Sequence, residues 1–141
     1  MQKISGAKLL GALALSLILT ACAGGGYSTM GAKTTSSQGP TGGVVTVSIS
    51  KANGSSTQSI DEAGNAGAQM EVDVALAVGK GSYKIELLGK DDQVTLALEA
   101  HDGQTVTGHG QMVVDPFGEA NYRVAAENAE NVDYQLQYVY R

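Results

Sequence analysis

The 141-residue sequence predicts an all-β fold, a single antiparallel β-sandwich of about seven strands occupying residues 44–141. Three observations carry that reading. From Val44 onward apolar residues recur with a period of two, which places alternate side chains on opposite faces of a strand. Glycine, proline and acidic residues interrupt the runs at short intervals, as antiparallel turns require. No stretch of this region keeps a helical period. Short strands with one apolar face bury it by packing sheet on sheet.

The strands follow in order. Val45, Val47 and Ile49 alternate with Thr46 and Ser48. Lys51–Gln69 is low in complexity and reads as a mobile loop or an edge strand. Met70, Val72, Val74, Leu76 and Val78 alternate with Glu71, Asp73, Ala75 and Ala77, and Tyr83, Ile85 and Leu87 with Lys84 and Glu86. Val94, Leu96 and Leu98 come next, then Val106 to Val114, then Tyr122, Val124 and Ala126. Ala125–Asn131 is compatible with one turn of helix. The last strand carries Val132, Tyr134, Leu136, Tyr138 and Tyr140 on one face.

Parity selects between turn types. Leu96 and Leu98 share a face with Val106 only if the loop is His101-Asp102-Gly103, with Gly103 left-handed. That hairpin sets Gly108 opposite Leu96 and His109 opposite Thr95. The Asp115-Pro116-Phe117-Gly118 turn sets Val114 opposite Ala120 and Met112 opposite Tyr122. The segment Asp115-Pro-Phe-Gly-Glu-Ala-Asn-Tyr122, with Val124 and Ala126, resembles the late hairpin of bacterial immunoglobulin-like domains. That resemblance covers about fifteen residues and implies an Ig-like or related sandwich.

The amino terminus carries an address. Lys3 and Lys8 precede Leu9–Leu19, an uncharged apolar run of eleven residues. At about 1.5 Å per residue it covers roughly half of a ~30 Å hydrocarbon core, so it reads as an export signal rather than a span. Leu19-Thr20-Ala21-Cys22 follows directly and resembles the lipobox of bacterial lipoproteins. The resemblance implies cleavage between Ala21 and Cys22, a diacylglycerol on the Cys22 sulfur and, in many bacteria, an acylated amino terminus. Two or more chains suffice for stable membrane anchoring. Ala23 rather than Asp after the cysteine points to the outer membrane in a diderm. In a monoderm the anchor lies in the outer face of the cell membrane.

The expected organisation is therefore a signal peptide at 1–21, a lipidated cysteine and flexible linker at 22–43, and the sandwich at 44–141. Ala23–Gly43 is mostly Gly, Ser, Thr and Ala; as a coil it spans roughly 25 Å. Loss of the signal leaves seven basic against fourteen acidic residues. A surface of that sign attracts neither nucleic acid nor anionic lipid, so membrane association rests on the lipid.

Chemistry is sparse. The single cysteine excludes an internal disulfide and a cysteine-based zinc cluster. His101 and His109 lie roughly 15–17 Å apart along the expected hairpin and do not share a metal. Ser82, near Lys80 and Lys84, lacks a base placed by any motif. Asp61-Glu62 and Asp91-Asp92 lack the repeated acidic spacing of a calcium loop, and Gly24-Gly25-Gly26 lacks the flanking strand and helix of a phosphate cradle. No catalytic residue, metal site or cofactor is expected.

Tyr134, Tyr138 and Tyr140 share a face, either as core or as an aromatic platform for a ligand. The expectation is a non-enzymatic, membrane-anchored domain contacting an envelope protein, or, alternatively, one binding a polysaccharide or small ligand. Palmitate should label the full chain in cells and fail to label a Cys22→Ser variant, which should leave the membrane fraction.

Overall fold

Three strands organise the molecule, and each is far longer than its apolar runs imply. The computed structural model describes residues 26–141; the signal peptide, the Ala21–Cys22 cleavage point and the lipidation site lie outside the described residues. In chain order the strands are β1 (Ser28–Met30), β2 (Lys33–Gly39), β3 (Gly42–Asp61), β4 (Gln69–Leu88), β5 (Val94–His101), β6 (Thr105–Val113) and β7 (Glu119–Tyr140). Single 3₁₀ turns occupy Ala63–Asn65 and Lys90–Asp92. There is no α-helix among the described residues.

All pairing is antiparallel within one seven-stranded sheet. At its centre β7 pairs with β3 on one side and β4 on the other, over nearly its whole length. Against β7 the register slips once on each side: between Ala52 and Gly54 in β3, and between Lys80 and Ser82 in β4. Left-handed backbone marks the same line: Gly54 (φ 94°), Gly81 (φ 77°), and Asn128 and Asn131 in β7 (φ 46° and 53°). Glycine and asparagine are the residues that adopt this conformation at least cost.

Along that crease the sheet folds back on itself. One layer holds β2, the first half of β3, the second half of β7, the first half of β4, and β6. The other holds the remaining halves of the three long strands, and β5. The predicted all-β antiparallel sandwich is present, built by folding one sheet rather than by stacking two.

The core lies between the layers. The inward positions read from the alternation are buried: Val45, Val47 and Ile49; Met70 through Val78; Tyr83, Ile85 and Leu87; Tyr122 and Val124; Val132 through Tyr138. Across the gap, the Tyr83 and Tyr134 rings stack at 5.7 Å and Tyr122 meets Tyr134 edge-on at 6.1 Å. The buried hydroxyls satisfy one another, Tyr122 with Tyr134 at 2.9 Å and Tyr27 with Tyr83 at 2.8 Å.

Several expectations are corrected. β5 and β6 do not form a ladder with each other: Gly103 is left-handed as expected (φ 72°), but the turn lies at the crease. β6 pairs with Gln69–Ala77 of β4 and β5 with Ser82–Leu88, so Leu96 meets Gly108 and Gly110 face to face across the core. The Val114–Ala120 bridge forms. Beyond it the chains part into opposite layers, and Met112 pairs with Met70 while Tyr122 pairs with Leu87 and Gln58.

Ala125–Asn131 is the bend of β7, not a helical turn. Gly54–Asp61, within the low-complexity stretch, is a strand edge laddered onto β7. The 22–43 linker is corrected over its described part, since β1 and β2 are laddered on β3 with Pro40-Thr41 as a two-residue hairpin loop. Every side chain of β2 is exposed, so backbone hydrogen bonding to β3 holds it and no apolar pattern marks it.

A Cβ at Gly81 would collide with the carbonyl oxygens of Glu127 and Asn128, whereas at Gly103 it would meet nothing. Gly103→Ala should cost about 1–2 kcal/mol from backbone strain alone, and Gly81→Ala ~3 kcal/mol or more, as read from urea unfolding midpoints.

Candidate functional site

Opposite the crease, where the long strands begin and end, the sandwich is open, and there the core alternation delivers a charged residue. Ile60 is the last inward apolar residue of β3, and Glu62, two positions on, continues the same face. Glu62 is 4% exposed, the one buried charged side chain among the described residues. Its backbone is fixed: the N–H donates to the Gly118 carbonyl at 2.7 Å, and the carbonyl accepts from Asn65 N–H at 2.8 Å.

Two side chains from distant strands grip one carboxylate oxygen. Tyr138 Oη donates to Glu62 Oε2 at 2.9 Å, and Gln38 Nε2 donates to the same atom and to the Asp61 carbonyl at 2.7 Å. Burial, reinforced by the hydrogen bond to Glu62 and its charge, pushes the Tyr138 hydroxyl up to about 12. The ring passes close over Gly43, where a Cβ would sit 2.8 Å from Cζ. Glu62 Oε1 accepts no hydrogen bond among the described residues. A buried acceptor without a partner is uncommon in folded proteins.

Above this carboxylate opens a cleft of about 700 Å³, lined by Ser36, Gln38, Asp61, Glu62, Asn65 and Tyr140 with Gly39 and Gly64. Tyr140 is half-buried; its ring meets Tyr138 edge-on at 6.2 Å, and its hydroxyl accepts from Asn65 Nδ2 at 3.1 Å. Ser36, Gln38, Asn65 and Tyr140 bring hydroxyls, amides and one aromatic ring to the cleft beside Glu62 and Asp61, and no Lys, Arg or His lines it.

The tyrosine platform is thereby divided. Tyr134 and Tyr138 are buried, at 4% and 1% exposure, and belong to the core; the platform reading fails for both because neither ring is open to a ligand. Tyr140 alone of the three lines the cleft. Sequence reasoning missed Glu62 and Gln38, weighing the first only as half of a carboxylate pair without calcium-loop spacing and the second as linker. The signal for Glu62 was its spacing from Ile60; Gln38 carried none.

The histidines lie elsewhere. On the outer face, His109 bridges two carboxylates of β4, with Nδ1 2.8 Å from Asp73 Oδ1 and Nε2 2.6 Å from Glu71 Oε1. Glu71 also meets Arg141 Nε at 3.0 Å and Gln111 Nε2 at 3.1 Å. His101 approaches only Glu99, at 3.5 Å. No cluster of three or more His, Cys, Asp or Glu suited to a metal occurs among the described residues.

No family model and no curated protein matches the sequence. Among solved structures, the CBM22-1 xylan-binding domain of Paenibacillus barcinonensis Xyn10C is 12% identical, with 82% of this chain and 85% of that chain covered, at a TM-score of 0.41. A carbohydrate-binding module (CBM6cm-2) of Cellvibrio mixtus lichenase 5A, solved with cellotriose, is 14% identical over 79% and 88%, at 0.34. A structure of Bacillus endospore appendages, which form disulfide-linked pili, is 12% identical over 88% and 97%, at 0.45. These scores lie below 0.5 and carry no ligand or partner over to this chain.

The hydrogen bonds to Asp73 and then Glu71 raise the pKa of His109 above the ordinary 6.5. A raised folded-state value means its stabilisation is complete below about pH 6.5 and is lost as pH rises through the raised value. Between about pH 6 and pH 9 the unfolding midpoint of the native chain should fall further than that of His109→Gln.

Proposed function

We propose that the chain is an exported, lipid-anchored binding protein of the bacterial cell envelope that holds a saccharide in the open-end cleft without catalysing a reaction. The observation that carries the ligand reading is Glu62, a buried carboxylate lining the cleft with one oxygen that accepts no hydrogen bond among the described residues. Saccharides present closely spaced hydroxyls and an apolar ring face. Ser36, Gln38, Asn65 and Glu62 offer donors and acceptors to the first, and the Tyr140 ring offers a surface to the second.

Anchoring through Cys22 rests on the Leu19-Thr20-Ala21-Cys22 motif. The described chain starts at the crease, where Gly26 and Tyr27 lie against Gly54. Cys22 lies four positions before Gly26 in the sequence, a reach of at most about 14 Å. In this reading the crease faces the membrane and the cleft faces away from it.

A protein-contact role is the second reading. Phe117, 87% exposed on the Asp115–Gly118 turn at the open end, is the feature that favours it.

Isothermal titration of the full chain in detergent against neutral oligosaccharides from wall and capsule should show saturable binding. Tyr140→Ala should weaken it about threefold to tenfold, the usual worth of an aromatic contact. Retention of one envelope protein, lost in Phe117→Ser, with no saccharide bound, would move the assignment to the second reading.

A further inference from the structure

Resting on the saccharide reading of the same cleft, we infer that the group seated at Glu62 is a primary ammonium, so that the preferred ligand is an amino sugar with a free amine. Charge and donor count both favour an ammonium there. Tyr138 and Gln38 both donate to Oε2, which leaves Oε1 without a donor among the described residues, in a side chain that lines the cleft. Both donors are neutral, and no Lys, Arg or His lines the cleft.

The nearby guanidinium of Arg141 is turned to Glu71 on the outer face. A carboxylate taken out of water is costly until a positive charge accompanies it. A sugar hydroxyl supplies Oε1 with one neutral donor, whereas an ammonium supplies three donors and the missing charge. The half-buried Tyr140 ring adds a face that favours cations. Uronate, phosphate and sulfate groups are disfavoured by the same carboxylate.

The test compares two probes of equal length on the full chain in detergent: the glucosamine tetramer and the N-acetylglucosamine tetramer. The free-amine tetramer should bind at least about tenfold more tightly at physiological salt, the ratio expected for a charge-assisted hydrogen bond. Glu62→Gln, which keeps an acceptor for Tyr138, should bring the two affinities within about threefold while circular dichroism stays that of the native chain.

Equal affinity of the two tetramers for the native chain would overturn the ammonium and leave the saccharide reading standing. A preference that survives Glu62→Gln would overturn the assignment to this residue. Binding of neither tetramer, nor of any neutral oligosaccharide, would overturn both readings together. Should Glu62→Gln fail to fold, the comparison on the native chain alone decides the ammonium.

Discussion

Continuity of three strands through a single crease is the constraint on which everything else in this structure depends. β3, β4 and β7 each run through both layers, so the two sandwich halves are joined covalently by three continuous strands, each half being laddered within itself. A flat sheet this long could not bury its apolar face. Turning it over at Gly54, Gly81, Asn128 and Asn131 lets one face close on itself, at a cost confined to residues that tolerate left-handed backbone. The edges left over belong to β2, β5, β6 and the second half of β3, and they carry mostly Ser, Thr, Gln and charged side chains outward. Such edges resist pairing with other chains.

The crease also decides where polar groups are buried. Near it, four tyrosines from both layers and from the chain preceding β1 meet, and their hydroxyls pair: Tyr27 with Tyr83, Tyr122 with Tyr134. Burial drives the Tyr83 and Tyr134 hydroxyls far above the ordinary phenol range, so they act as neutral donors and acceptors that fix how the layers align. At the opposite end no fold-back is available to close the core. Closure there falls to side chains: Tyr138 from β7, Gln38 from β2 and Glu62 from the end of β3. The result is a polar floor instead of an apolar seal, and the cleft lies over it.

β2 therefore has two roles. It protects the edge of β3 by a backbone ladder, and it supplies Ser36 and Gln38 to the cleft. A segment whose every side chain is exposed is thus part of the candidate site. The outer face carries its own balance, with His109 between Asp73 and Glu71, and Arg141 completing the strip. That strip is solvated and distant in role from the cleft.

Much of this was legible from residue order, and for a local reason. Alternation is a property of neighbouring residues, so Met70 to Val78, Tyr83 to Leu87 and Val132 to Tyr138 announced their buried faces without reference to any partner strand. The Asp115–Gly118 turn and the left-handed Gly103 were equally local. Pairing was not. Glycine at 54 and 81 and asparagine at 128 and 131 end a strand or bend one with the same backbone angles, and only the partner on each side distinguishes the two outcomes. For that reason two long bent strands read as pairs of short ones, and β5 with β6 read as a hairpin. Gln38 and Glu62 are 24 residues apart, and Tyr138 and Glu62 are 76 apart. Their meeting depends on where the folded sheet brings its free ends, a long-range outcome of closing the apolar face that no short-range pattern records.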